Sequence, residues 1–187
     1  MLRLVTDGPR EFYARDRNKI IQAACGLLGR EYARPVDALP DVIRLLGYSI
    51  ERRPIEPWSK TCREKRLITV CSNLRQRLRY PDSFDGVFAC VLAHELAHIR
   101  LHLYQGRLCD TEADAYAGVF LVPRSDLFRQ PAFQDLLSAG RAGLRLWPFV
   151  GHLAEHFGVT RACIVRQLES LDICELDRET GALRLVA

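Results

Sequence analysis

The stretch VLAHELAHIRLH, residues 91–102, sets His94, Glu95 and His98 in the order HExxH within a mostly apolar run. In a helix, four residues advance the chain by ~40° beyond a full turn and ~6 Å, so both imidazoles project from one face. Nitrogens so placed can reach one ion at the ~2.0–2.1 Å bonding distance of zinc. Glu95, beside the first of them, is placed to hold an attacking water and take its proton, the chemistry of metal-assisted hydrolysis. A bare HExxH also arises by chance on half-buried helices. Here it coincides with a strongly apolar surround and with acids just downstream.

Catalytic zinc takes three protein ligands and keeps one position open, so a ligand is expected outside the motif. CDTEADAYAG, residues 109–118, offers Glu112 at the start of a helix that follows Gly106. A helix returning antiparallel would bring its first turn toward the histidines, which makes Glu112 the expected third ligand. Asp114 is then expected behind the ligands, orienting a histidine N–H. The alternative makes Asp114 the ligand and Glu112 a cap, since acids favour first turns for dipole reasons alone. His102 continues the histidine face, but a fourth protein ligand would close the open position, so a rim or supporting role is expected. A second donor for a tetrahedral oxyanion is expected among His102, Tyr104 and Tyr116. His152 and His156 repeat the spacing without the glutamate and are set aside.

Several elements must position these groups. Residues 10–30 have apolar residues near helical spacing and a Gly29 stop. PVDALPDVIRLLGYSI predicts a short helix starting at Pro40 and ending at Gly47, and YSIERRPI and RLITVCSNL predict strands joined by a polar, proline-containing loop. A long helix is expected from about Phe84 to Tyr104, and a further one, capped by Asp110 or Thr111, up to Pro123. After a linking region containing SAGRAG, residues 149–171 have the spacing of a helix-turn-helix, and ICELDRETGALRLVA that of a hairpin turning at Glu179–Gly181. The expected class is α+β: a helix-rich, zincin-like unit over residues 1–145 with a small sheet beside the HExxH helix. A helix-turn-helix-like segment with a terminal hairpin, residues 146–187, is expected to pack on it.

VLAHELAHIRLH followed by TEADAYAGVFLVP resembles the ImmA/IrrE family of gluzincin-type metallopeptidases. Members show an HExxH helix and then an EAD/EAN-x-F-A stretch ending in a Leu-Met-Pro-like stop. PVDALPDVIRLLGYSI, LITVCSNL and LAEHFGVTRACIVRQLESL are similar to that family's opening helix and strand, its pre-helix strand and its downstream helix-turn-helix-like segment. The resemblance runs from about residue 20 to 175. Tyr116 in place of Phe, FLVP in place of LLMP, and the approach RQRLRYPDSFDGVFACV depart from the pattern without touching a proposed ligand. The resemblance implies zinc on His94, His98 and Glu112, with Glu95 as general base. It also implies a protein substrate, a helix-turn-helix repressor whose cleavage relieves repression in stress response or in mobile-element and phage induction. Manganese or iron also suits a set of two histidines and a carboxylate.

The totals leave room for this reading. A chain of 187 residues can bury a substantial core as one domain or a domain with an appendage. The seven cysteines include no CxxC pair, so neither a zinc ribbon nor a redox dithiol is indicated, and free thiols are expected. No apolar run approaches the ~20 residues of a membrane span and no signal-peptide pattern opens the sequence, so the cytoplasm is expected. Lys60, Arg63, Lys65, Arg66, Arg75, Arg77 and Arg79 share a stretch whose one acid is Glu64, a basic patch for an acidic partner, nucleic acid or solvent. DNA binding through residues 149–171 is one rival reading, with Arg161, Arg166 and Gln167 as the base readers, and a catalytically silent zinc scaffold, such as a partner-binding toxin–antitoxin component, is the other.

Overall fold

The computed structural model describes residues 8–77, 84–102 and 107–186. The chain is α+β, with two antiparallel-paired or mixed sheets small enough to be dominated by helices. It opens with α1 (Gly8–Leu28) and α2 (Pro35–Leu45). Pro35, not Pro40, starts α2: its fixed φ suits the first helical position, and Pro40 lies inside the helix.

Three strands follow, β1 (Ser49–Arg53), β2 (Ser59–Cys62) and β3 (Leu67–Cys71), in the order β1-β3-β2. β3 runs parallel to β1 and antiparallel to β2. Its Ile68, Val70 and Cys71 are buried, as a central strand requires. β2 occupies ground expected to be loop, and β3 is paired on both sides.

After the short α3 (Leu74–Arg77) comes α4 (Phe84–Arg100), which carries the HExxH residues. Val87, Ala89, Leu92, Ala93, Leu96 and Ala97 are buried, so α4 runs through the middle of the core. Against it packs α5 (Arg107–Leu121), which begins a turn earlier than expected and takes Asp110 inside its first turn. Pro123 follows α5 and sits in extended geometry at the start of α6 (Arg124–Arg129); Pro131 opens α7 (Pro131–Arg141). The region expected to be a linker is therefore mostly helical, with a turn at Gly143, whose φ is +69°.

Then come α8 (Trp147–Phe157) and α9 (Arg161–Ser170). Gly158 ends α8 at φ +67°, with Val159 N–H donating to the Ala154 carbonyl at 3.0 Å. Thr160 caps α9 by accepting from Cys163 N–H at 3.1 Å. The chain closes with β4 (Cys174–Leu176) and β5 (Leu183–Leu185), an antiparallel hairpin. Trp147 Nε1–H ties the hairpin's turn to α8 through the Gly181 carbonyl at 3.0 Å.

Leu153, Phe157, Ile164 and Leu168 join Leu96, Tyr116 and Phe120 in one continuous apolar core that spans residues 145–146 without a break. The buried Gln167 amide stitches α9 to the end of α5 by donating to the Val122 carbonyl at 3.0 Å. All seven cysteines are free. Among the described residues, no helix is long and apolar enough to cross a membrane.

Candidate metal centre

His94 and His98 lie one turn apart on α4, and their Nε2 atoms face each other at 3.1 Å. Asp110 of α5 comes to the same point, with Oδ1 3.5 Å from His98 Nε2 and 3.9 Å from His94 Nε2. Three ligand atoms arranged around a tetrahedral ion at ~2.0–2.1 Å would sit ~3.4 Å from one another, and these separations bracket that edge. His94, His98 and Asp110 could therefore hold a metal ion.

Glu112 is not the acid brought to the histidines. Two residues rotate a helix by ~200°, so Glu112 leaves α5 on nearly the opposite side from Asp110. Its Oε1 accepts from Tyr13 of α1 at 3.0 Å. Asp114, a full turn beyond Asp110, shares Asp110's face, and its Oδ1 lies 2.8 Å from His94 Nδ1. A carboxylate can only accept, so Nδ1 carries the proton and the Nε2 lone pair points to the cleft. Asp114 Oδ2 is held in turn by Arg166 of α9 at 2.6 Å.

Burial disfavours a charged His94, but the hydrogen bond and charge of Asp114, with Glu95 and Asp110 nearby, outweigh it and raise its pKa above the ordinary imidazole value. Burial likewise works against an ionised Asp114, and His94 and Arg166 more than compensate, leaving its pKa below the usual carboxylate range.

Glu95 is buried, yet both of its oxygens have partners on β2. Ser59 donates to Oε1 at 2.6 Å and Thr61 to Oε2 at 2.5 Å. Residues two apart on a strand share a face, so this short edge strand presents two hydroxyls to one carboxylate. The turn after β2 adds a third tie: Arg63 Nη2 donates to the His98 carbonyl at 2.6 Å near the end of α4. Between β2 and the two helices lies a cleft of about 550 Å³. Pro57, Trp58, Lys60 and Arg63 contribute to one wall, and His94, Glu95, His98 and Asp110 to the other.

The remaining candidates are placed elsewhere. α4 ends at Arg100, and His102 turns out of the helix at φ +53°, exposed and away from the cleft lining. Tyr116 is fully buried and donates to Asp16 at 2.6 Å on the far side of α5. Burial and then Asp16 push its pKa far up, and its hydroxyl is engaged by Asp16 away from the residues that line the cleft. Tyr104 lies outside the described residues. Of the basic stretch, Arg63 is tied to α4 as above, the side chains of Arg75 and Arg77 are not described, and Arg79 lies outside the described residues.

Ser59, Thr61, the bond from Arg166 to Asp114 and the cleft role of Asp110 escaped the reading of the sequence. For Asp110 a signal existed: Asp110 and Asp114 repeat the i,i+4 spacing of the two histidines. The chain matches no protein-family model and no curated protein sequence.

Proposed function

We propose that the chain is a zinc-dependent endopeptidase of the ImmA/IrrE kind, with His94, His98 and Asp110 as metal ligands and Glu95 as general base. The observation that carries this reading is the clamped Glu95. A carboxylate held on both oxygens by Ser59 and Thr61, at a cleft beside two convergent imidazoles, has no need to exist in a purely structural metal site. Four lone-pair directions on a carboxylate leave room to accept from a water as well.

When bound, the metal supplies Lewis-acid activation of water and of the scissile carbonyl. His94, His98 and Asp110 would hold it, and Asp114 fixes the His94 tautomer that makes Nε2 a ligand. Glu95 takes the proton of the attacking water and passes it to the leaving amine. β2 pairs with β3 on one side only, so its outer edge can take an extended peptide by strand addition.

The substrate we propose, a helix-turn-helix repressor cleaved in the cytoplasm during stress response or mobile-element induction, rests on the sequence resemblance alone. Against DNA binding as the main role, Gln167 is buried on Val122 and Arg166 is engaged by Asp114, which removes two of three base readers. The test is incubation with candidate repressors, with and without chelator, for the wild type and Glu95→Gln. Chelator-sensitive cleavage lost in Glu95→Gln supports the reading; cleavage that survives both treatments overturns it.

A further inference from the structure

α9 belongs to the C-terminal segment with helix-turn-helix spacing, yet one of its exposed charges is turned toward the metal centre. Arg166 Nη1 lies 2.6 Å from Asp114 Oδ2, while Asp114 Oδ1 lies 2.8 Å from His94 Nδ1. Three groups from three helices thus stand in series, from α9 through α5 to the first HExxH histidine on α4.

The series has a mechanical meaning. A carboxylate anchored by one oxygen can rotate about its Cβ–Cγ bond and take its acceptor out of line with the imidazole. A charge-assisted bond on the second oxygen fixes the carboxylate plane. That in turn fixes the ring of His94, whose Nε2 must point to where His98 Nε2 and Asp110 Oδ1 converge. Partners behind a metal ligand govern affinity in this way because they hold the ligand in its binding orientation before the metal arrives. The side chains of Arg166 and Asp114 are 65% and 40% exposed, and ion pairs so exposed contribute little to folding. The consequence of the pair is therefore felt at the imidazole more than in overall stability.

We infer that Arg166 is a positioning residue of the metal centre: by holding Asp114 it orients His94, so α9 tunes the metal affinity of a site built on α4 and α5. The inference rests on the reading of His94, His98 and Asp110 as a metal site, and it makes the C-terminal segment part of that site.

The experiment is a zinc titration of the full chain against a chromogenic chelator, for the wild type, Arg166→Gln, Arg166→Lys, Asp114→Asn and Asp114→Asn/Arg166→Gln, with thermal midpoints of the metal-free proteins alongside. Arg166→Gln is expected to bind zinc about 10-fold more weakly with a little-changed midpoint, and Arg166→Lys to recover part of the loss. In the Asp114→Asn background, Arg166→Gln should have no further effect, because its route to His94 is already cut. A merely structural role would give equal losses in both backgrounds, and that result overturns the inference, as does wild-type affinity in Arg166→Gln. A wild type that takes up no zinc would instead remove the metal-site reading itself.

Discussion

Two polar clusters are built on the same pair of helices, α4 and α5, and they differ in where their atoms point. On one side, Asp16 of α1 receives Arg100 of α4, with Nε at 3.0 Å, and Tyr116 of α5 at 2.6 Å. Each group there finishes on another group of the cluster, and the whole is sunk against the core. On the other side, His94, His98 and Asp110 direct their ligand atoms at a common point beside a 550 Å³ cleft. The first cluster is closed within itself; the second turns three ligand atoms toward one point, where a metal ion could be held. Identical chemistry, acids and bases on neighbouring helices, thus yields a structural tie in one place and a candidate metal centre in the other.

Removing one group from each separates them most sharply. Glu95→Gln is expected to lower peptide hydrolysis by about 10³-fold, the scale of a lost general base, while zinc content and folding are retained. A steady-state assay with parallel metal analysis decides it; unimpaired turnover would strip Glu95 of its role.

Asp16→Asn should do the reverse. Leaving Arg100 without its carboxylate is expected to cost about 3 kcal/mol of stability, read by denaturant unfolding, with zinc affinity of the folded protein unchanged. Burial pushes the Asp16 pKa up, but the bonds from Arg100 and Tyr116 prevail and lower it. Its stabilisation is therefore present above the ordinary unfolded value of about 3.9 and is lost as pH falls through the lower folded value. An Asp16→Asn protein as stable as the wild type would show that the tie is not one.

The two sides also differ in pH response. A protonated imidazole cannot ligate, so zinc affinity should fall by up to about tenfold per pH unit below the His94 pKa, which is raised above the usual value of about 6.5. In the metal-free protein the sign is opposite for folding. The His94–Asp114 contribution is full between the ordinary carboxylate value of about 3.9 and about pH 6.5; it is lost as pH rises through the folded His94 value and as pH falls through the lowered Asp114 value. Zinc competition measured across about pH 5 to 8 checks the first statement; an affinity that does not change over that range contradicts it. The smallest effect is expected at Glu112, where Ala should cost about 1 kcal/mol by removing the acceptor of the Tyr13 bond.

Much of this was legible in the sequence because periodic patterns dictate it. The apolar surround of HExxH foretold α4, Pro123 the end of α5, and the spacing over residues 149–171 the helix pair α8 and α9. β2 was not legible: Ser59 and Thr61 are polar because they face a carboxylate, so the strand lacks the apolar alternation that marks strands packed on a core. The acid that stands beside the histidines, Asp110, is not the expected Glu112, for a related reason. Reading α5 from a cap at Asp110 or Thr111 left its face undefined, whereas a start at Arg107 sets Asp110 and Asp114 together and turns Glu112 to α1. The partner of Asp114, fifty-two residues away in sequence, was a matter of tertiary packing that no local pattern records.

Zinc binding by the wild type, Asp110→Ala and Glu112→Ala tests the centre most directly. One zinc per wild-type chain is expected, with affinity weakened by about 100-fold in Asp110→Ala and nearly unchanged in Glu112→Ala. Zinc held normally by Asp110→Ala but lost from Glu112→Ala would contradict this assignment of the site.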